Sequence, residues 1–156
     1  MISLKKAIIV YESLYGNTEQ IAIAIAEGIQ QSGDIECIVT KPSGIHTDEL
    51  SKYDAILLGC PNHNQEPALN MIKFIDRAHI VPLEGKIGAA FDTYTGGNKG
   101  IAVGKLEAII RERLVGIELV VDGLSAKVDG RKGPLSDGEI GLAQELGREI
   151  GNKLVG

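Results

Sequence analysis

Lys5-Lys6-Ala7-Ile8-Ile9-Val10-Tyr11-Glu12-Ser13-Leu14-Tyr15-Gly16-Asn17-Thr18-Glu19-Gln20-Ile21-Ala22 decides the fold. Ala7 to Tyr11 is an unbroken apolar run rich in β-branched residues, the pattern of a strand buried on both faces. Ile21, Ile25 and Ile29 lie four apart, the spacing of one helix face. Between strand and helix stands a short polar loop of hydroxyls, an amide and a glycine. The first N–H groups of a helix have no partner within it, and its dipole favours negative charge, so the junction is an anion site. Ser13, Asn17 and Thr18 add side-chain donors, and Gly16 lets the backbone approach. Asn17 with Gln20 three residues on also has the spacing of a capping box.

No Lys or Arg occurs in this loop, and Glu12 is acidic. A phosphate held here meets neutral donors. A nucleotide P-loop needs Gly-Lys-Ser/Thr and a magnesium ligand, which are missing; the Gly-Lys pairs between Gly97 and Lys105 lack the spacing and do not follow the first strand.

Working outward, a first helix is expected from Asn17 to Gln31, and a short strand from Ile35 to Thr40 with Ile35, Cys37 and Val39 on one face. Thr47 to Lys52 suits one or two helical turns capped by Thr47. Ala55 to Cys60 is a third, fully apolar strand. A helix from Ala68 to Ala78 turns Leu69, Ile72 and Ile75 inward. Lys86 to Phe91 is the fourth strand, Val103 to Val115 a helix, and Ile117 to Val121 the fifth strand. Asp122 to Pro134 is irregular, with Leu124, Ala126 and Val128 alternating as an extension of that strand. Ser136-Asp137-Gly138-Glu139 is a capping box opening the last helix. Ile140, Ala143, Leu146, Ile150 and Leu154 form its apolar stripe.

Strands alternating with helices mean a parallel sheet with right-handed crossovers. The fold expected is α/β: a single doubly wound five-stranded parallel sheet with helices on both faces, over residues 1–156 as one domain. Five strands favour the order 2-1-3-4-5 over the longer Rossmann order. Its ligand crevice lies beyond the carboxyl ends of the first and third strands. Three loops leave that edge, Glu12–Thr18, Cys60–Pro67 and Asp92–Gly100, and they are the chain's most polar turns.

The bulk numbers fit. The chain has 156 residues, 44 % apolar and 24 % charged, with a net charge of −5. That charge disfavours nucleic acid or an anionic membrane as partner and suits a basic protein. No apolar run approaches the ~20 residues of a membrane span. Met1 to Lys6 leads straight into a strand without a signal-peptide pattern. Two cysteines, Cys37 and Cys60, make no disulfide framework, and a reducing cytoplasm is the expected location. His46 and His79 read as surface residues. Cys60, at a strand end, reads as a small core residue, and with His63 it offers too few ligands for a metal.

Ser13-Leu14-Tyr15-Gly16-Asn17-Thr18 resembles the phosphate-binding loop of flavodoxins, usually Thr/Ser-x-Thr-Gly-x-Thr. Tyr15 departs from it where the family has threonine, so one hydroxyl donor is missing or is supplied from elsewhere. Gly59-Cys60-Pro61-Asn62-His63-Asn64 resembles the family's Gly-Ser-Pro-Thr-x-Asn stretch beside the flavin. Asp92-Thr93-Tyr94-Thr95-Gly96-Gly97 resembles the loop whose backbone N–H groups bind the flavin carbonyls. The resemblance covers nearly the whole chain and is to short-chain members: only about 30 residues separate Ile109 from Glu139, too few for the long-chain insertion.

The resemblance implies FMN as cofactor, held by Ser13, Leu14, Tyr15, Gly16, Asn17 and Thr18 at the phosphate. Pro61, Asn62, His63 and Asn64 would lie beside the ring, with Asp92, Thr93, Tyr94, Gly96 and Gly97 at its far edge. Tyr94 would stack on one ring face, and His63 falls where an aromatic often covers the other. The function implied is low-potential electron transfer between protein redox partners, with no catalytic residue and no metal. The alternative on the same fold is an FMN-dependent NAD(P)H:quinone reductase. A phosphoacceptor receiver domain has the same strand order but needs an aspartate at the end of the third strand, where Gly59-Cys60 stands.

Overall fold

The computed structural model describes residues 4–156, so the first three residues of the expected lead-in Met1 to Lys6 lie outside the described residues. The strands are β1 (Lys5–Tyr11), β2 (Ile35–Thr40), β3 (Ala55–His63), β4 (Glu66–Pro67), β5 (Ile87–Tyr94), β6 (Glu118–Leu119) and β7 (Leu124–Lys127). The helices are α1 (Asn17–Gln31), α2 (Leu69–Ala78), α3 (Ile101–Arg113) and α4 (Glu139–Val155). Tight 3₁₀ turns occupy Pro42–Gly44 and Thr47–Lys52. No described helix is long and apolar enough to cross a membrane.

The sheet runs β2-β1-β3-β5, with β6 and β7 both parallel to β5 on its outer side. With β6 and β7 counted as one interrupted strand and the hairpin arm β4 set aside, this is the expected order 2-1-3-4-5. The interruption has a steric cause. Gly123 enters β7 against α3, where a Cβ would lie 2.5 Å from Val103 Cγ2. Its N–H donates to Glu107 Oε2 at 3.0 Å.

β1 shows why the opening run is apolar throughout. Ala7, Ile8, Ile9 and Val10 are all 0 % exposed. Ile8 and Val10 join the core under α2 and α3, while Ala7 and Ile9 join the core under α1 and α4. Each such large aliphatic side chain contributes about 1.5–3 kcal/mol on burial. α1 and α4 meet backbone to backbone: a Cβ at Gly28 would lie 2.0 Å from the Gln144 carbonyl oxygen, and one at Gly147 would lie 2.0 Å from that of Ile25.

Several local expectations are corrected. β3 runs three residues past Cys60 and β5 three past Phe91, because the ladder continues with Cys60 paired to Asp92 and Pro61 to Thr93. Asn62 and His63 then pair antiparallel with Pro67 and Glu66, so the second loop is a hairpin. In α2 the buried residues are Met71, Phe74, Ile75 and Ala78, while Leu69 is exposed. The bulkier Phe74 and Met71 set the inward face. None of the three expected side-chain caps forms. Gly16 and Gly138 precede α1 and α4 in the left-handed region, and His46 precedes the 3₁₀ turn in extended geometry. A left-handed glycine turns the chain so sharply that Asn17 already lies inside the helix instead of ahead of it.

Candidate functional site

The carboxyl ends of β1, β3 and β5 converge at one edge of the sheet. Leaving β1, Glu12 donates its N–H to the Gly59 carbonyl at 3.0 Å, tying the first loop to β3. Ser13 Oγ then accepts the N–H groups of Gly16 at 3.0 Å and Glu19 at 3.3 Å. Ser13 thus caps α1 in place of Asn17. Gly16 has φ 92°, and a Cβ there would meet nothing within 4 Å. Its glycine is required by the backbone turn, and the loop mouth stays open.

A cavity of about 130 Å³ occupies this edge. Ser13, Leu14, Tyr15, Asn17 and Thr18 line it on one side, and Pro61, Asn62 and His63 on the second. Thr93, Tyr94 and Thr95 form the third wall. Asn17 and Thr18 are buried, at 7 % and 1 % exposed, although both are polar. The Thr18 and Thr93 hydroxyls lie 2.8 Å apart. One donates to the other, so one hydroxyl proton of the pair stays free for a ligand. Tyr94, 8 % exposed, is a strand residue that lines the same cavity.

A larger groove of about 720 Å³ shares Ser13, Leu14, Pro61 and His63 with this cavity. It reaches the Lys41–Ser43 turn and, on α2, Lys73 and Arg77. In the hairpin between cavity and groove, Asn64 and Gln65 sit in the left-handed region, at φ 52° and 66°. Gln65 N–H donates to Asn62 Oδ1 at 2.9 Å, and Asn62 Nδ2 donates to the Asn98 carbonyl at 3.5 Å.

Five of the residues expected at the ligand stand apart from the cavity wall: Gly16, Asn64, Asp92, Gly96 and Gly97. Gly16, Asn64 and Gly96 shape backbone turns, all at positive φ. Asp92 is 0 % exposed and turned into the fold, accepting Val103 N–H at 2.8 Å and the Ser125 hydroxyl at 2.6 Å. Burial pushes its carboxyl above the ordinary range, opposed by those two hydrogen bonds. Its side chain caps α3. Cys60 is fully buried, and burial pushes its thiol up to about 12, which leaves it protonated and inert. His46 and His79 are exposed. Among the described residues no cluster of three or more His, Cys, Asp or Glu side chains could hold a metal.

Sequence reasoning missed Thr95, Val128 and Arg131, which also line the cavity. Thr95 follows from the length of β5. Arg131 comes from the stretch read as irregular, where Val128 bridges Leu135 antiparallel and Asp129 N–H donates to the Pro134 carbonyl at 2.8 Å. The neighbouring Lys132 holds its ammonium 5.8 Å from the centre of the Tyr15 ring. The one available signal was the Arg131-Lys132 pair between glycines, in a chain whose net charge is acidic.

A doubly wound sheet with a neutral, hydroxyl-rich anion cradle at its switch point defines a class of phosphate-bearing cofactor domains. Residues 8–95 match the family model described as flavodoxin domain. The chain belongs to the flavodoxin family, whose members bind FMN and pass electrons to protein redox partners. It is 36 % identical over 88 residues to a flavodoxin of Clostridium saccharobutylicum, covering 56 % of this chain. That alignment spans about half, 55 %, of the relative's own length. An NAD(P)H dehydrogenase (quinone) of Rhodopseudomonas palustris is 32 % identical over 160 residues, covering 88 % of this chain and 78 % of its own. Among solved structures, a flavodoxin from the domain Archaea superposes with a TM-score of 0.81 at 30 % identity, covering 97 % and 99 % of the two chains.

The residues present fit FMN. The free N–H groups of α1, the Ser13 and Thr18 hydroxyls and the Asn17 amide are donors for a phosphate, and Tyr94 supplies an aromatic wall next to them. When bound, FMN supplies reversible uptake of one or two electrons.

Proposed function

We propose that residues 1–156 act as one FMN-binding domain that carries low-potential electrons between protein redox partners. The observation that carries this reading is the buried Thr18–Thr93 hydroxyl pair beside Asn17, at an open helix N-terminus and within the same cavity as Tyr94. The pair leaves one hydroxyl proton to donate, which a phosphate oxygen in the cavity would accept. In this reading Ser13 fixes the loop, Thr18 and Asn17 orient the phosphate, and Gly96 and Gly97 leave backbone N–H groups open to the ring. The hairpin at Asn64–Gln65 flanks the ring edge, and no residue acts as acid, base or nucleophile.

The partners proposed are redox proteins, not nucleic acid or membrane. A net charge of −5 attracts a basic docking face at long range, whereas Lys41, Lys73 and Arg77 around the groove favour acidic side chains in the docked contact. The proposed location is the cytoplasm, where Cys37 and Cys60 stay reduced.

The purified protein should be yellow, with an oxidised-flavin absorption spectrum, and denaturation should release FMN. Protein that stays colourless after incubation with FMN would reject the reading. A second reading, FMN-dependent quinone reduction by NAD(P)H, is favoured by the relative from Rhodopseudomonas palustris. Steady-state turnover with NAD(P)H and a benzoquinone separates the two: a carrier shows none above free FMN.

A further inference from the structure

We propose that Arg131 is a counter-ion for the phosphate of the bound flavin, delivered by the 128–135 hairpin; this rests on the FMN reading above. Family resemblance and the first loop by themselves describe a phosphate held only by neutral donors. The structure adds a cation that neither of them contains.

The placement is built, not incidental. Val128 and Leu135 close the base of the hairpin as an antiparallel bridge. Inside it, Asp129 N–H donates to the Pro134 carbonyl at 2.8 Å and Gly133 N–H to the Gly130 carbonyl at 3.0 Å. Ser136 N–H donates to the Lys127 carbonyl at 2.9 Å, anchoring the base to β7. The tip is pressed onto the first loop: a Cβ at Gly133 would lie 2.8 Å from Asn17 Oδ1. Lys132 rests over the Tyr15 ring at 5.8 Å. These two contacts fix the tip against the phosphate-binding residues themselves.

Arg131 shares the wall of the small cavity with Ser13, Asn17 and Thr18. Of the charged groups beside it, the Asp129 carboxylate accepts the Ser136 hydroxyl, and Lys132 is cationic. Among the described residues no carboxylate forms an ion pair with Arg131. A planar guanidinium on a residue that lines the same cavity as these donors is suited to take a phosphate in a forked pair of hydrogen bonds. The same geometry accounts for Tyr15. Where the family places a threonine hydroxyl, this chain uses an aromatic ring that seats Lys132 and so holds its neighbour Arg131 over the phosphate. A charged donor from the hairpin thus stands in for the neutral hydroxyl that position 15 lacks.

The test compares FMN with riboflavin, which has no phosphate, on the apoprotein by flavin fluorescence quenching. Arg131→Gln should weaken FMN about tenfold, the size of one charge-assisted hydrogen bond, and leave riboflavin within about twofold. FMN affinity of the wild type should fall with added salt, and the slope should flatten in R131Q. Arg131→Lys keeps the charge without the fork, so it should fall between the two and retain the salt dependence. If the wild type binds FMN and R131Q matches it in affinity and salt slope, the inference is wrong and the FMN reading stands. If FMN and riboflavin weaken equally in R131Q, Arg131 only shapes the hairpin, and the inference is again wrong. If the wild type binds neither flavin, the FMN reading itself falls and the inference with it.

Discussion

Replacing Thr18 by valine tests the phosphate cradle at its most buried point. The two side chains have nearly the same shape, so the change removes a hydroxyl and leaves packing almost intact. Thr18 is 1 % exposed and its hydroxyl meets that of Thr93 at 2.8 Å. Losing this neutral bond should lower the stability of the apoprotein by about 0.5–1.5 kcal/mol. Thr93 is itself buried, so its hydroxyl loses its partner, and that loss moves the cost towards the upper end of this figure. Binding should suffer more. A hydrogen bond to a charged phosphate oxygen contributes about 1.5–3 kcal/mol, so FMN should weaken about ten- to a hundredfold. Riboflavin presents no phosphate and should change little. The assay is a fluorescence titration of both flavins against both apoproteins, with urea melts of each apoprotein for the stability term. The ratio of the two affinity changes separates the phosphate interaction from any general loosening. Equal weakening of FMN and riboflavin, or no weakening of either, would refute the assignment of Thr18 to the phosphate.

Tyr94→Ala should weaken FMN by at least about 0.5–1.5 kcal/mol and brighten the flavin that remains bound, read from its fluorescence yield; unchanged quenching would move the stacking role to Tyr15. Gly59→Ala should destabilise the fold by about 1–3 kcal/mol in a urea melt, because the new Cβ would lie 2.1 Å from Phe91 Cε2 between β3 and β5. Asp92 has a carboxyl raised above its ordinary 3.8 by burial, so the folded state holds its proton more tightly than the unfolded chain. That contribution to stability is present below pH 3.8 and is lost as pH rises through the raised value. Asp92→Asn, measured by melts against pH, should lack this acid-range decline relative to wild type.

The fold was legible because its signals are physical necessities of a doubly wound sheet. A strand buried on both faces must be apolar at every position, as Ala7 to Val10 are, and Ile21, Ile25 and Ile29 must share a helix face to cover it. The convergence of Ser13, Asn17 and Thr18 on one cavity was legible because a polar stretch joining such a strand to such a helix lies at the carboxyl edge of the sheet. Boundaries failed where polarity was mistaken for loop. Asp92, Thr93 and Tyr94 are as hydrophilic as a turn, yet β5 carries them past the core because β3 and β7 still flank them. The inward turn of the Asp92 side chain was not legible because its partner Ser125 lies 33 residues away, on a strand whose register no local pattern announces.

Arg131 was invisible for a deeper reason. Its effect depends on where a glycine-rich hairpin lands, and that landing is decided by packing against Asn17 and Tyr15, over a hundred positions earlier in the chain. Taken alone, the first loop contains no cation, and a flavin there would face Glu12 and an unbalanced phosphate. Adding an electron to such a flavin would be opposed by like charge. The folded chain instead brings Arg131 to the cavity and Lys132 to its rim, which offsets part of that repulsion. The charge of a site is a property of the assembled edge and not of any one loop. Removing the Arg131 charge should therefore lower the midpoint potential of bound FMN as well as its affinity. An unchanged potential in R131Q, measured on protein saturated with FMN, would show that this cation binds the cofactor without tuning it.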